Sequence, residues 1–144
     1  SPSLPVGFYK VVDEPIANGA YVAFCPPPNA VFDMAMDRSY INRGDCPGGY
    51  GLLLKRVFAQ SGDTVFIDQA GIYVNGKHLP NSAQLTADAD GHALPQYQLQ
   101  AVLDDGESLL LSDLNPQSFD ARYFGLIVRD QIKQVVRPIF TWSH

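Results

Sequence analysis

The amino-acid sequence predicts a mainly β domain with one short helix. Six segments are short, rich in β-branched, aromatic or leucine residues, and bounded by Gly, Asp or Asn, which is typical of strands. They span residues 19–25, 51–59, 63–69, 71–79, 107–113 and 133–142. At 144 residues, of which 46% are hydrophobic, the chain is large enough to bury one core, and we expect a single domain over residues 1–144.

Turn and capping signals predict where these elements are connected and where the helix begins. The stretch DQAG at 68–71 predicts a tight hairpin between the third and fourth strands. A helix is predicted over residues 30–41, because Asn29 can cap AVFDMAMDRSYI and that stretch lacks internal Gly or Pro. Residues 80–105 are polar and rich in turn formers, so we expect them to leave the sheet as a surface β excursion.

The charge balance argues against nucleic acid as a partner. Fifteen Asp and Glu stand against ten Lys and Arg, and the basic residues are scattered rather than gathered on one face. No run of 18 apolar residues occurs, and the first residues lack a charged-then-apolar pattern, so we expect the chain as given neither to span a membrane nor to carry a signal peptide. The chain begins at a serine rather than a methionine, and we therefore expect that a segment was removed before Ser1.

The two cysteines are the next candidates for chemistry. Cys25 and Cys46 do not form a Cys-x-x-Cys pair, and the histidines lie too far away for zinc-ligand spacing, so we expect no metal and no cofactor. A disulfide between the two cysteines is the favoured interpretation, with two buried thiols as the alternative. Such a bridge would stabilise the fold by roughly 3 kcal/mol and would indicate an oxidising compartment.

The sequence also contains a lysine in an apolar strand. A Ser-His-Asp triad is not indicated, since no Gly-x-Ser-x-Gly elbow occurs and the histidines lie in polar or terminal stretches. A lysine can act as the base only if burial lowers its pKa, because about one free lysine in two thousand is neutral at pH 7. In GLLLKRVFA, strand alternation places Lys55 on one face with Leu53 and Val57. The alternative is an edge-strand lysine that extends into water.

Three stretches then resemble the signal peptidase family. SPSLPVGFY at 1–9 resembles its nucleophile box, LKRVFAQSGDTV at 54–65 its Lys-Arg box, and SFDARYFG at 118–125 its Ser-x-Asp-x-Arg-Tyr-Trp-Gly box. The boxes occur in the family's order. The chain is most similar to the TraF-type branch, the pilin maturation peptidases of conjugative transfer, which shares the cysteine pair. The three departures are Leu4 for Met, Ala-Gln-Ser at 59–61 for a Gly-Leu-Pro-like stretch, and Phe124 for Trp.

The resemblance implies a Ser/Lys dyad. Ser3 matches the nucleophile and Lys55 the general base, and Pro2 and Pro5 would restrict the backbone around Ser3. Ser1 matches a second serine whose hydroxyl can donate to the oxyanion. Without the other boxes, Ser3 would be an unstructured terminal serine.

Three residues of the third box are implied to support the dyad. Ser118 would hydrogen-bond and orient the lysine amine, while Asp120 and Arg122 would pair and hold the segment beside the site. An extended strand would put all three side chains on one side. One alternative is a catalytic role for Asp120. The other is that Asp120 and Arg122 form a surface ion pair that contributes little to stability.

The resemblance implies a serine endopeptidase on a signal-peptidase/LexA-like β-sheet core. It would work at the periplasmic face of a bacterial inner membrane, held by an N-terminal anchor absent from this chain. Its partner would be a pilin precursor, cut by hydrolysis or cyclised through an acyl-enzyme. The alternatives are a general leader peptidase, a LexA-type repressor, which the acidic composition disfavours, and a catalytically silent module that binds pilus components.

Overall fold

The computed structural model describes residues 6–112 and 116–142. In chain order its strands are β1 Val6–Val12, β2 Tyr21–Phe24, β3 Leu53–Ala59, β4 Thr64–Asp68, β5 Gly71–Val74, β6 Lys77–His78, β7 Leu99–Val102, β8 Glu107–Leu111, β9 Ile127–Val128 and β10 Ile132–Trp142. The helices are α1 Ala30–Asp37 and α2 Ala121–Phe124, with a 3₁₀ turn at Arg129–Gln131. The predicted mainly β class is confirmed.

Two antiparallel sheets make up the fold. The larger sheet has the order β1-β10-β2-β3-β8-β9 and the smaller one the order β6-β5-β4-β7. Strand β3 therefore lies in the interior of the larger sheet, paired with β2 on one side and β8 on the other. Within the described residues, no helix is both long and apolar enough to cross a bilayer.

Two hydrophobic clusters flank the larger sheet. In the first, Phe32 of α1 packs with Phe24, Val57 and Leu110. The second cluster contains Leu109 and Leu111 of β8, which pack with residues of the smaller sheet. Alternate side chains of β8 thus enter different clusters, and both faces of this strand are buried. This explains its continuous run of leucines.

One irregularity interrupts the pairing of β3 with β8. Arg56 pairs with Leu111 and Val57 with Leu110, but the next pair is Ala59 with Leu109. Phe58 is therefore the additional residue of a β-bulge in β3.

Helix α1 begins as predicted and ends earlier. The Asn29 side chain accepts a hydrogen bond from the Phe32 amide at 2.9 Å, which caps the first turn. The helix ends at Asp37 rather than at 41, because the chain then turns through Ser39 with a φ of 62°.

The predicted disulfide is confirmed. Cys25, next to the end of β2, is bonded to Cys46 in the loop that follows α1, with the Cα atoms 5.6 Å apart. The alternative of two buried thiols is therefore excluded. The bridge closes a loop across the first hydrophobic cluster, to which both cysteines belong.

The prediction that residues 80–105 leave the sheet is wrong for their second half. Leu99–Val102 forms β7, which pairs with β4 and completes the smaller sheet. Polar side chains also fix the first half: the Gln84 amide donates to the Tyr97 carbonyl, and the Tyr97 amide donates back to the Gln84 side chain at 3.0 Å. A buried polar side chain with hydrogen-bond partners cannot be told from a surface residue by composition. Composition alone therefore predicts this segment as a surface segment.

Candidate active site

Lys55 is the buried cation of the larger sheet. It lies on β3, opposite Val22 of β2, and only 1% of its surface is exposed. The alternative of an edge-strand lysine that extends into water is therefore wrong. An ammonium group at this depth loses most of its hydration, which must be replaced by protein oxygens.

Among the described residues, two protein oxygens accept hydrogen bonds from the amine of Lys55. Its Nζ donates to the Ser112 hydroxyl at 2.5 Å and to the Phe119 carbonyl at 2.9 Å. Ser112 directly follows β8, and extending the register of Arg56 and Leu111 by one residue places it opposite Lys55. Directly opposed residues of antiparallel strands share a face, so strand pairing itself brings the hydroxyl to the amine.

The surroundings lower the pKa of Lys55 from 10.5 to about 8. Burial is the main cause, because it penalises the charged form; the nearby Asp120 carboxylate raises the pKa, and the Arg122 guanidinium lowers it. At this pKa roughly one amine in ten is neutral at pH 7. The group can therefore accept a proton at physiological pH.

Asp120 and Arg122 form a buried ion pair beside the lysine. The Arg122 Nε donates to the Asp120 Oδ1 at 2.9 Å and its Nη2 donates to Oδ2 at 3.0 Å. Both side chains are at most 1% exposed, so the alternative of a surface ion pair is wrong. The guanidinium also donates to the Pro116 carbonyl at 3.0 Å, which ties the preceding loop to the pair.

The third box is not extended as expected. Asp120 caps the short helix α2, its carboxylate accepting from the Arg122 amide at 3.1 Å, and Gly125, with a φ of 79°, is the C-cap that follows the helix. The carboxylate also accepts from the Ser112 amide at 3.3 Å. A capping carboxylate with a paired guanidinium two residues on stabilises a turn here, which overrides the strand-like alternation.

Ser118 does not orient the lysine in this structure. Its hydroxyl is buried, and within the described residues no hydrogen-bond partner lies near it. The hydroxyl that contacts the amine belongs to Ser112, whereas the peptide segment after Ser118 contributes only the Phe119 carbonyl. The sequence places Ser112 in the predicted strand 107–113, and the Ser112-Asp113 pair resembles the TraF-type branch, but no local signal indicates a contact with Lys55, because that contact depends on strand pairing between residues 57 apart.

The predicted nucleophile Ser3 and its neighbour Ser1 lie outside the described residues. Their proposed roles therefore rest on the sequence.

A cleft of about 460 Å³ lies next to the lysine segment. Phe119, whose carbonyl faces Lys55, lines it together with Tyr123, and the two rings are stacked with centroids 5.7 Å apart. Tyr40 also lines the cleft, with its ring centroid 5.5 Å from that of Phe119, and donates to the Asp88 carboxylate. The cleft is thus lined by the turn that follows α1, by α2 and the residues before it, and by the segment that precedes β7.

One group of potential metal ligands occurs in the described part of the chain. The ligand atoms of Asp88, Asp90 and His92 lie within 4.8 Å of one another. Backbone amides of Asp90 and His92 donate to the Asp88 carboxylate at 2.9 and 2.8 Å, and Tyr40 donates to it as well. These bonds account for the grouping as a loop structure.

Comparison with known proteins identifies the family. A sequence model described as signal peptidase, peptidase S26, matches residues 1–142. The plasmid transfer protein TraF of Escherichia coli is 50% identical over 141 residues, covering 97% of this chain and 79% of its own. The conjugal transfer protein TraF of Agrobacterium tumefaciens is 34% identical over 149 residues, covering 99% and 80%.

Among solved structures, a signal peptidase I from Enterococcus faecalis is similar at 20% identity with a TM-score of 0.45, over 86% of this chain and 97% of that one. The family assignment itself rests on the match of nearly the whole chain to the family model and on the 50% identical relative. The chain belongs to the signal peptidase family, peptidase S26, as the resemblance of its three boxes predicts.

Proposed function

We propose that the protein is a serine endopeptidase in which Lys55 is the general base for Ser3. The observation that carries the proposal is the buried amine of Lys55, whose pKa is lowered to about 8 and which is held by two protein oxygens. A lysine with an ordinary pKa would be protonated at neutral pH and could not accept a proton. Ser3 enters because it occupies the nucleophile position of the family's first box.

The proposed reaction proceeds through an acyl-enzyme. The neutral amine of Lys55 takes the proton from the Ser3 hydroxyl as its oxygen attacks the scissile carbonyl. The resulting ammonium returns this proton to the leaving amine, the carbon–nitrogen bond breaks, and the acyl group remains on Ser3. The Ser1 hydroxyl and the Ser3 amide would donate to the oxyanion during both steps.

Asp120 acts in this scheme as a support and not as a proton relay. Its charge raises the pKa of Lys55, which opposes use of the amine as a base. Its carboxylate instead caps α2 and accepts a hydrogen bond from the Ser112 amide. It thereby holds in place the end of the β8 segment and the start of α2, beside the lysine.

The substrate we propose is a pilin precursor of a conjugative transfer system. The support is the set of relatives named plasmid or conjugal transfer proteins, of which one is 50% identical. An acyl-enzyme on Ser3 would be released by water, giving a linear product, or by the amino terminus of the same pilin, giving a cyclic product. The same dyad chemistry serves both outcomes.

We place this reaction at the periplasmic face of a bacterial inner membrane, with an N-terminal anchor preceding Ser1. The disulfide between Cys25 and Cys46 supports an oxidising compartment, since such bonds persist there and are rare in the cytosol.

The deciding experiment exposes the anchored full-length protein to its co-encoded pilin precursor and reads the product by mass. A product with the mass of the cut chain indicates hydrolysis, and one lower by a single water indicates cyclisation. We expect both Ser3→Ala and Lys55→Ala to abolish the product, whereas the exposed Lys77→Ala should not. Unchanged processing by Ser3→Ala would refute the dyad.

The same assay separates the alternatives. Cleavage of presecretory proteins at their leader, with the pilin precursor left intact, indicates a general leader peptidase. Binding of the precursor without any change in its mass indicates a module that binds pilus components, and such a module would tolerate Lys55→Ala.

A further inference from the structure

The hydroxyl that contacts Lys55 is not the one implied by the family's third box. Ser112 accepts from the amine at 2.5 Å, and its own side chain is fully buried. The Ser118 hydroxyl is buried too but has no partner within the described residues. Ser112 directly follows β8, whereas Ser118 lies two residues before Asp120, the cap of α2, so a choice between them assigns the contact to a different part of the fold.

The geometry of an amine makes this contact consequential. A neutral amine nitrogen carries one carbon, two hydrogens and one lone pair at tetrahedral corners. If its two N–H bonds point to the Ser112 hydroxyl and the Phe119 carbonyl, the direction of the lone pair is fixed. General-base catalysis requires the lone pair to point at the proton that it receives.

We propose that Ser112 is a positioning residue that aims the Lys55 lone pair at the nucleophile. The inference rests on the proposed function and deepens it. The Phe119 carbonyl fixes one N–H bond from the α2 side of the site, and Ser112 fixes the other from the end of β8. Two fixed bonds leave the amine no freedom to rotate about its Cε–Nζ bond.

The hydroxyl also acts on the charged form of the lysine. An ammonium group has no acceptor, so Ser112 can only accept from it, and this stabilises the protonated state. In the described part of the chain, the charged groups that act on Lys55 are Asp120 and Arg122, which are paired with each other. Removal of the Ser112 hydroxyl leaves that pair in place and should lower the pKa of the lysine.

The test compares four variants of the full-length protein in detergent micelles. Ser112→Ala removes the hydroxyl, and Ser112→Thr retains one. Ser118→Ala removes the rival hydroxyl. Ser108→Ala is the matched control, because Ser108 is a buried serine of β8 that lies four residues before Ser112 and opposite Ile127 of β9. Each variant is measured for cleavage of the pilin precursor against pH and for titration of the lysine side chains by ¹³C NMR, with the Lys55 signal identified by its loss in Lys55→Met.

For Ser112→Ala we expect the limiting kcat/KM at high pH to fall about a hundredfold, the cost of a misplaced catalytic group. The acid limb of the rate profile and the Lys55 titration should both move to lower pH. Ser112→Thr should recover most of the rate, and Ser108→Ala should match the wild type. A structural role alone would lower the rate without moving either titration.

Two results would overturn the inference: a Ser112→Ala variant with an unchanged rate and titration, or the expected changes in Ser118→Ala instead. The NMR titration does not require turnover. A wild-type protein that fails to cut the precursor therefore refutes the proposed function, whereas an unmoved Lys55 signal in Ser112→Ala refutes the positioning role.

Discussion

Asp120 and Arg122 are bonded at two points inside the protein, although they are separated by a single residue. Their N–O distances are 2.9 and 3.0 Å, and neither side chain is more than 1% exposed. The pair fixes the first turn of α2 and, through the Ser112 amide, the end of β8. Ser112 and Phe119, the residue before the cap, each provide an oxygen that contacts Lys55.

Breaking this pair should strongly destabilise the fold. Asp120→Ala leaves a buried guanidinium without its counter-charge, and we expect the free energy of unfolding to fall by about 3–5 kcal/mol. Arg122→Ala should have a similar effect, and the double variant should lose much less than the sum of both. Urea denaturation measures all three.

The exposed pair of Arg43 and Asp37 supplies the control. Its side chains are 70% and 74% exposed, and its removal should cost at most about 1 kcal/mol. Strict additivity of the Asp120 and Arg122 effects would contradict the coupling that the geometry implies.

The lowered pKa of Lys55 predicts a dependence of stability on pH. Between pH 8 and 10.5 the unfolded chain holds a proton on this lysine that the folded protein does not. The free energy of unfolding therefore rises with pH across this window, and the penalty of the buried charge is fully present below it. Relative to Lys55→Met, the wild type should gain roughly 3 kcal/mol between pH 7 and 10.5.

The comparison with Lys55→Met matters because buried tyrosines also titrate in this range. Burial raises the pKa of Tyr50 and of Tyr123, and their effects cancel between the two proteins. Denaturant titrations at several pH values provide the measurement. A constant difference between wild type and Lys55→Met would mean that the amine is not desolvated.

The proposed base predicts how the peptidase rate depends on pH. With a pKa of about 8, the neutral fraction of Lys55 increases about tenfold between pH 7 and pH 9. The kcat/KM for the pilin precursor should rise by the same factor over this interval. A flat profile from pH 6 to pH 9 would exclude Lys55 as the group that accepts the proton.

The disulfide should contribute to stability through the loop that it closes. Cys25 and Cys46 are 21 residues apart, and for such a loop the chain-entropy model gives roughly 3 kcal/mol. The double variant Cys25→Ser with Cys46→Ser should unfold at correspondingly lower urea concentrations. Reductant should shift the wild type toward this variant and leave the variant unchanged; an equal effect of reductant on both would point to another cause.

Much of the fold could be predicted because its strands carry their own signals. Alternation and turn residues locate β2, β3, β4, β5 and β8 to within a few residues. Helix α2 could not be found in this way, since four residues are too short to display a helical period and Asp120, its cap, belongs to a strand-like alternation. Strand β7 is not predicted, for a different reason. It is an edge strand of the smaller sheet, and alternate side chains are exposed to water.

In the site, too, some features follow from local sequence patterns and others depend on contacts between distant residues. The burial of Lys55 follows from its apolar neighbours in one strand, and the pairing of Asp120 with Arg122 follows from the family's third box. The contact with Ser112 does not follow from either, because it depends on the register of two strands that are distant in the sequence. Local patterns thus identify the lysine, and pairing between strands decides which oxygen it meets.

The bulge at Phe58 decides the chemical partner of Lys55. If β3 and β8 kept the register of Ala59 and Leu109 throughout, the position opposite the lysine would be 113, an aspartate in the sequence, instead of Ser112. A carboxylate at that distance would hold the amine as an ammonium and remove its capacity as a base. One additional residue in a strand thereby selects a reactive amine over a salt bridge.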